Sequence, residues 1–298
     1  MTIQLKGHES ANWSFSRYTS YLRCGKGYEL DRVMKAPRLP GWYLVGGSAV
    51  HEVTEALDRL AFLMGENVTL EAEVDAMFHV KLDELVEQER EKSGIDPDKW
   101  LAGGRGNSKH RADHWHAEGP QIVKRWLEWR EEHPWQWAMF DGEPGIELRL
   151  EIELGGLPFV AVIDRAAILP NDSLAVVDLK TGKKPEGVLQ LGTYATALQL
   201  AGFERPKYGI YWLGKTGKHT APVPLDRYTK DYLDQIFGEA AEGVRRGVFP
   251  PSPGEICRMC SVANACYTTD GDLSHLYDRL DPNFRVYGPE LPPEGVAA

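Results

Sequence analysis

Apolar and polar residues in the middle of the chain follow first the two-residue period of β-strands and then the longer period of a helix. Residues 145–153 alternate strictly between apolar and charged side chains, which predicts a half-exposed strand. Mostly apolar runs at residues 158–169 and 174–180 predict two buried strands, and the turn-forming residues 170–173 between them predict a hairpin. Residues 188–200 have helical spacing. The predicted order is strand, strand, strand, helix.

Charged residues interrupt the two buried strands of this hairpin. Asp164 lies inside the first apolar run, where a carboxylate is costly unless it is paired or binds a cation. Side chains alternate between the two faces of a strand, so Asp178 and Lys180 share one face of the second run. Because the hairpin can bring Asp164 and Asp178 within reach of one cation, the pattern predicts a site for a hard metal ion.

Amphipathic patterns predict further elements around the hairpin. The predicted helices cover residues 48–64, 67–93 and 226–246, and the predicted strands cover residues 207–213 and 220–225. Ser14 or Ser16 is expected to cap a short helix before Cys24. The proline- and glycine-rich residues 37–47 predict a loop. His51 lies on the polar face of the helix after this loop, where a histidine is most often only solvated.

The four cysteines are spaced as one plus three, with Cys24 far ahead of Cys257-Arg-Met-Cys260-Ser-Val-Ala-Asn-Ala-Cys266. Four thiolates suit one metal centre, although two disulfides in a secreted protein would use the same number. The first residues lack the apolar core of a signal peptide, and no apolar run has the length of a membrane span. We therefore expect a cytoplasmic protein without membrane attachment, and in that reducing compartment we favour the metal centre.

The formal net charge of −10 opposes tight non-specific binding to nucleic acid. It does not exclude an enzyme that acts on nucleic acid, because only the binding groove needs to be basic and a metal ion itself attracts phosphate.

The most basic stretch is residues 103–116, and six of the nine tryptophans lie between Trp100 and Trp137. Basic side chains interleaved with aromatic rings suit single-stranded DNA, whose phosphates and bases they contact. The candidate DNA-binding residues are Arg105, Lys109, Arg111 and Trp115, with Trp100 as a second stacking candidate. Trp126 and Trp129 have the spacing of a helix core stripe and are predicted to be structural.

Taken together, these motifs resemble the PD-(D/E)XK nucleases, and within them the RecB-like branch that includes CRISPR-associated exonucleases and AddB-type nuclease domains. The residues that carry the resemblance are His51 in Gly47-Ser-Ala-Val-His51, Asp164, Asp178-Leu-Lys180 followed by Thr181-Gly182, and the pair Gln190 and Tyr194. Ala161 stands where many relatives have glycine.

The resemblance implies an α/β fold with a PD-(D/E)XK restriction-endonuclease-like core, in which helices flank a mixed central sheet. It also implies a divalent-metal-dependent deoxyribonuclease whose metal ligands are His51, Asp164, Asp178 and the backbone carbonyl of Leu179. The imidazole ligand favours Mn²⁺ over Mg²⁺. Lys180 would orient the attacking water and stabilise developing negative charge, while Gln190 and Tyr194 would position phosphate or water.

For the cysteines, the iron–sulfur branch of these nucleases has the same layout, with one cysteine ahead of the core and three behind it. The resemblance therefore implies that Cys24, Cys257, Cys260 and Cys266 hold a 4Fe-4S cluster with a structural role. The main alternative is a four-thiolate zinc site, whose usual form is two close Cys-x-x-Cys pairs.

The chain divides on this interpretation into four parts. They are an N-terminal segment (1–47) with the first cysteine, a helical insertion (48–140), the nuclease core (141–248), and the cysteine cluster with a surface-bound or partly disordered tail (249–298).

The expected function is digestion of single-stranded DNA ends by an exonuclease, in recombination, repair or phage DNA metabolism. One alternative is a subunit that binds or scaffolds DNA ends in recombination or spacer acquisition with little hydrolysis. Another is the nuclease subunit of a helicase complex. A helicase or recombinase is accordingly the candidate protein partner.

Overall fold

The computed structural model describes residues 12–65, 71–104 and 110–271 of the protein. The α-helices in these ranges are α1 (Phe15–Arg23), α2 (Gly25–Tyr28), α3 (Trp42–Met64), α4 (Glu71–Ser93), α5 (Ala112–Glu132), α6 (Leu189–Leu200) and α7 (Lys230–Arg245). The strands are β1 (Gln136–Trp137), β2 (Met139–Phe140), β3 (Glu143–Pro144), β4 (Ile146–Leu154), β5 (Leu157–Ile168), β6 (Leu174–Lys180), β7 (Tyr208–Leu213), β8 (Lys218–His219) and β9 (Val223–Pro224).

Seven of these strands form one mixed, mostly antiparallel sheet in the order β1-β5-β6-β7-β8, with β4 also paired to β5 and β9 to β7. The only parallel pair in this described sheet is β6 with β7, and helix α6 connects the two. The predicted order of three strands followed by a helix is confirmed, and so is the hairpin between β5 and β6. Strands β2 and β3 form a separate two-stranded ribbon.

Both faces of the sheet are buried, because helices cover each of them. On one face Val176 packs in a cluster with Leu198 of α6 and Phe237 of α7. On the other face Val177 packs in a cluster with Val50 of α3 and Trp126 of α5. The side chains of β6 therefore alternate between the two clusters as the sequence predicts.

Helix α3 begins six residues earlier than the sequence predicts, because part of the expected loop 37–47 is helical. A Cβ atom at Gly46 would lie 2.0 Å from Cδ2 of Trp115, so only glycine lets α3 approach α5 this closely. A Cβ at Gly47 would lie 3.3 Å from the Thr181 hydroxyl oxygen, immediately after β6. These two glycines serve close packing between elements rather than a turn.

Other boundaries differ by a few residues. Ser14 caps α1, since its hydroxyl oxygen accepts the N–H of Arg17. Thr229 caps α7, so this helix begins at Lys230 rather than near residue 226. The strand predicted at 220–225 is shorter: β9 pairs with β7, and the N–H of Thr220 donates to the carbonyl of Tyr211 in β7. The first residues of the helix predicted from residue 67 lie outside the described ranges.

The first and last parts of the described chain lie against each other. The Tyr21 hydroxyl donates to the carbonyl of Val248 at 2.8 Å, and the N–H of Leu39 donates to the carbonyl of Ser261 at 2.7 Å. A small apolar cluster joins the same two regions through residues that include Met34 and Val262. None of the described helices combines the length and the apolar character needed to cross a lipid bilayer.

Candidate active site

Two adjacent strands bring Asp164 and Asp178 together. Arg165 of β5 pairs with Val177 of β6, so the next positions outward in this antiparallel register are Asp164 and Asp178. The N–H of Leu179 donates to Oδ2 of Asp164 at 2.8 Å, which fixes one carboxylate oxygen against the neighbouring strand. The sequence-predicted pairing of these two acids is therefore present in the fold.

Helix α3 adds His51 to this edge of the hairpin, and β4 adds Glu147. Nδ1 of His51 lies 3.6 Å from Oδ2 of Asp164 and 3.7 Å from Oε1 of Glu147. One ligand atom from each of the three residues lies within 4.8 Å of the others, a grouping that could hold a metal ion. Of these three residues, the sequence predicts His51 and Asp164 as metal ligands but not Glu147.

The backbone at Glu147 explains how its carboxylate reaches the site. Its φ angle is +47°, in the left-handed region that non-glycine residues rarely occupy. As a result Ile146 packs in the cluster beneath α3 while Leu148 packs on the opposite face of the sheet, although regular alternation would place both on one face. Such a conformation costs about 1–3 kcal/mol and is typical of functional sites.

Asp178 is buried and carries the most perturbed carboxyl group of the site. Its side chain is 1% exposed, and Nζ of Lys180 lies 2.6 Å from its Oδ2. Neither carboxylate oxygen has a partner with hydrogen-bond geometry among the described residues. Burial and the charge of Asp164 raise the pKa of Asp178 to about 7, and Lys180 and His51 offset only part of that rise. A cation would satisfy the two buried oxygens.

Opposing effects act on His51. Burial alone would lower the pKa of its imidazole, but the carboxylates of Asp164 and Glu147 raise it above the usual value. The sequence left open whether this histidine is merely solvated, and the structure places it against two acids.

Helix α6 presents Gln190 and Tyr194 one turn apart on the same face, as predicted. Nε2 of Gln190 donates to the hydroxyl oxygen of Tyr194 at 2.7 Å. Burial and the charges of Asp178 and Asp164 raise the pKa of Tyr194 well above 10. The phenol therefore keeps its proton beside the acids and can donate it in a hydrogen bond.

A buried ion pair lies beneath the carboxylates. Nε of Arg165 donates to Oδ2 of Asp58 at 2.7 Å, and its Nη1 donates to Oε1 of Glu147 at 3.2 Å. Asp58 lies on α3 seven residues after His51, so this pair ties the helix that bears the histidine to the strand that bears Asp164. Both partners are desolvated, and loss of either one would cost about 3–5 kcal/mol.

The four cysteines line one cavity of about 280 Å³ between the first and last parts of the described chain. The Cys24 sulfur accepts the N–H groups of Gly27 and Ser252, each at 3.4 Å. Burial raises the pKa of the Cys260 thiol, and the other three cysteines raise it further. The chain thus brings Cys24 to the downstream cysteines across more than two hundred intervening residues.

The residues predicted to bind DNA have other environments. Trp115 and Trp100 are 5% and 2% exposed, which corrects the expectation that they stack on bases. Trp115 packs on Gly46, and Nε1 of Trp100 donates to the carbonyl of Ile95. Arg111 donates from Nη1 to the carbonyl of Asp98 at 2.6 Å. Arg105 and Lys109 lie outside the described residues. Trp126 and Trp129 are buried, as predicted for structural residues.

This arrangement of acids and a lysine on β4, β5 and β6 with a histidine from α3 agrees with a comparison of sequences. A model of the PD-(D/E)XK nuclease superfamily matches residues 12–267. The chain belongs to this superfamily. Nucleases of this superfamily act on nucleic acid with divalent metals, and the group formed by His51, Glu147 and Asp164 is a possible metal site in this member.

Two phage proteins are similar to this chain over most of their length. The Gene 69 protein of Mycobacterium phage D29 is 32% identical over 261 residues, which cover 85% of this chain and 95% of the phage protein. The Gene 69 protein of Mycobacterium phage L5 is 29% identical over 286 residues, with the same coverage. The crystal structure of a candidate exonuclease from Eubacterium rectale is 14% identical and covers 86% of this chain and 89% of its own, with a TM-score of 0.47.

Proposed function

We propose that this protein is a divalent-metal-dependent deoxyribonuclease that digests single-stranded DNA from its ends. The observation that carries the proposal is the meeting of His51, Asp164, Asp178 and Lys180 at one edge of the β5–β6 hairpin. The match to a nuclease superfamily over most of the chain supports the same chemistry.

The residues at this edge fit a divalent cation. Two acids and an imidazole within 4.8 Å of one another provide ligands, and among the described residues the buried Oδ1 of Asp178 has no hydrogen-bond partner while Oδ2 is ion-paired with Lys180. We assign His51, Glu147, Asp164 and Asp178 as the holding residues, with the Leu179 carbonyl as a further candidate. The imidazole favours Mn²⁺ over Mg²⁺. When bound, the cation would neutralise charge on the phosphate and help to activate water.

The remaining polar residues position the reactants. Lys180, which is partly exposed beside Asp178, orients the attacking water and stabilises negative charge as it develops on the phosphate. Tyr194 keeps its proton and, with Gln190, can hold a phosphate oxygen or the water. Arg165 holds the Glu147 carboxylate from below, so the site is organised before a substrate enters.

For the cysteine cavity we propose a 4Fe-4S cluster with a structural role. The donor set of four thiols around one cavity, with N–H groups directed at the Cys24 sulfur, fits such a group. Zinc is the alternative, and its usual form is two close Cys-x-x-Cys pairs. This chain has one such pair, a five-residue gap before Cys266 and the distant partner Cys24, a spacing that favours the cluster.

A different class of function is a subunit that binds or scaffolds DNA ends with little hydrolysis. The two are separated by incubating the purified full-length protein with end-labelled single-stranded and duplex DNA in Mn²⁺, Mg²⁺ or EDTA. We expect metal-dependent release of short products from single strands. Binding without product in either metal would replace the nuclease by the scaffold. Cleavage of duplex only with an added ATP-driven helicase would indicate a helicase-linked subunit.

His51→Ala and Glu147→Gln should each raise the Mn²⁺ concentration needed for half-maximal activity. Each substitution removes one ligand from a site whose other ligands stay in place, so the loss should be partly overcome by more metal. Metal titration of the cleavage rate measures the effect. Glu151→Gln is the matched control, because Glu151 lies on the same strand with its side chain 68% exposed. A titration unchanged by Glu147→Gln would remove Glu147 from the ligand set.

A further inference from the structure

A second large cavity lies next to the cysteine region, outside the group of acids at the β5–β6 hairpin. Its volume is about 540 Å³, and its walls are a π-helical turn (Glu29–Val33) and the loop after it, the first turn of α3 and the end of α4. The lining includes four cationic residues, namely Arg32, Lys35, Arg38 and Lys92. We call it the cationic cavity. The volume is within the range of ligand-binding sites.

The charge of the cationic cavity is opposite to that of the protein. Its lining has two acids, Asp31 and Glu89, against the four cations, whereas the whole chain has a formal net charge of −10. Asp31 pairs with both Arg32 and Arg38, each at 3.2 Å, so one carboxylate holds two guanidinium groups in place without neutralising both. An excess of fixed positive charge attracts an anionic ligand.

Lys35 is held on the rim by its neighbours in the chain. Met34 and Ala36 are buried, and the backbone of Lys35 has a φ angle of +54°, so the lysine side chain is exposed between two anchored residues. Arg38, on the same loop, is 49% exposed. The hydrogen bond from the N–H of Leu39 to the Ser261 carbonyl fixes the loop after it. The cations are therefore presented by an ordered backbone.

The floor of the cationic cavity is apolar. It includes Pro37, Pro40, Leu44 and Ile95, and Leu44 is 50% exposed although it lies on a helix that packs in the core. Cations on a rim above an apolar floor suit a ligand with an anionic backbone and flat apolar rings. In duplex DNA the bases face each other and cannot reach such a floor, but the bases of a single strand can.

One face of α3 connects the cationic cavity to the candidate active site. Leu44 and His51 are seven residues apart, which places them on nearly the same helix face about 10 Å from each other. Gly47 lies between them, and a Cβ added there would lie 3.3 Å from the hydroxyl oxygen of Thr181, the residue after Lys180. A strand whose end lies at the acids could therefore follow this face to the cavity within a few nucleotides.

We infer that the cationic cavity binds the single-stranded DNA segment a few nucleotides away from the cleaved bond, with phosphates on Lys35 and Arg38 and a base over Leu44. This inference rests on the proposed function, since the polynucleotide is the substrate of the same protein. It replaces the buried tryptophans of the sequence-predicted surface with a different binding region.

The test compares Lys35→Glu/Arg38→Glu with Arg245→Glu/Arg246→Glu, which makes the same kind of charge change on two exposed, ion-paired residues at the end of α7. Binding of a fluorescent 20-nucleotide single strand is measured by anisotropy without divalent metal, over a series of salt concentrations. Because each lost phosphate contact lowers the salt slope of a single strand by about 0.7, the cavity variant should lose about 1.4 from the slope and also lose affinity.

Four outcomes decide the inference. It is supported if only the cavity variant loses affinity and salt slope for the single strand. It is overturned if a folded cavity variant binds the strand normally, or if both double variants lose the same amount, which would indicate a diffuse field. Equal loss for the strand and for a blunt duplex would also overturn it. If the wild-type protein fails to cleave DNA, the proposed nuclease activity is contradicted. The binding comparison still tests the cavity, because it is measured without divalent metal.

Discussion

Asp178→Ala or Lys180→Ala should reduce DNA hydrolysis by at least about 10²–10³-fold while leaving the fold intact. Each change removes a group that acts on charge developing in the transition state, and losses of this size follow removal of one such group. End-labelled single-stranded DNA under single-turnover conditions measures the chemical step. Lys183→Ala is the control, because Lys183 lies three residues beyond Lys180 with its side chain 88% exposed.

Stability provides a second readout for the same residue. The pKa of Asp178 is raised to about 7 in the folded protein, so the free energy of unfolding falls as pH rises from near 4 towards 7, where this carboxyl ionises in the unfolded chain but keeps its proton in the fold. Asp178→Asn removes that penalty. In EDTA the melting temperature of Asp178→Asn should exceed that of wild type by more at pH 8 than at pH 5. Wild-type turnover in Asp178→Ala or Lys180→Ala would refute the active-site assignment.

Cys24→Ser should remove most of the iron and the brown colour from anaerobically purified protein, although three cysteines remain. An incomplete set of thiolates holds a cluster poorly, and ligation in the folded state contributes to the free energy of folding. The measurements are iron, acid-labile sulfide and zinc content, the visible absorption spectrum and the melting temperature. The region after Pro250 should also become more sensitive to protease.

Ser14→Ala separates this effect from damage to helix α1. It removes the N-cap of the same helix without touching a thiol, at a cost of about 1 kcal/mol, or about 2–4 °C in melting temperature. We expect Ser14→Ala to keep its iron and Cys24→Ser to melt at a lower temperature than Ser14→Ala. Colourless wild-type protein with one zinc per chain would replace the cluster by a zinc site. Full iron content in Cys24→Ser would exclude Cys24 as a ligand.

The sequence predicts the hairpin and its two acids well, because both depend on local rules. The turn at residues 170–173 fixes the register, and the two-residue period then determines which side chains of β6 share a face. Asp164 and Asp178 follow from these rules alone. The family motifs add His51, whose side chain the helical period by itself would leave on a solvated face.

Glu147 could not be found in this way. Strict alternation in residues 145–153 assigns it to the charged, solvent-facing set, and the left-handed backbone that turns it towards His51 leaves no mark on that pattern. The long-range hydrogen bond from Arg165 to the Glu147 carboxylate is the contact that accounts for this backbone conformation. The observed register of β4 and β5 pairs Ile146 with Arg165 and Leu148 with Ile163, so it is the fold that places Glu147 opposite Asp164.

The tryptophans and glycines show the same limit. Gly46 reads as a loop residue when neighbouring prolines are considered, and Trp115 reads as a ring beside a basic stretch. In the fold these two residues pack together, because the Trp115 indole occupies the space that a Cβ of residue 46 would need. Tertiary packing of this kind overrides local preference and is not encoded in residue spacing.

Helix α3 contributes residues to four functional parts of the molecule along its length. Tyr43 contacts the cysteine segment at the Met259 carbonyl, Leu44 lines the cationic cavity, His51 faces the acids, and Asp58 binds the buried arginine. An α-helix turns by about 100° per residue, so these contacts depend on a fixed angular phase. One inserted or deleted residue between Leu44 and His51 would rotate one end against the other and uncouple them. The number of residues in this stretch is therefore as constrained as their identities.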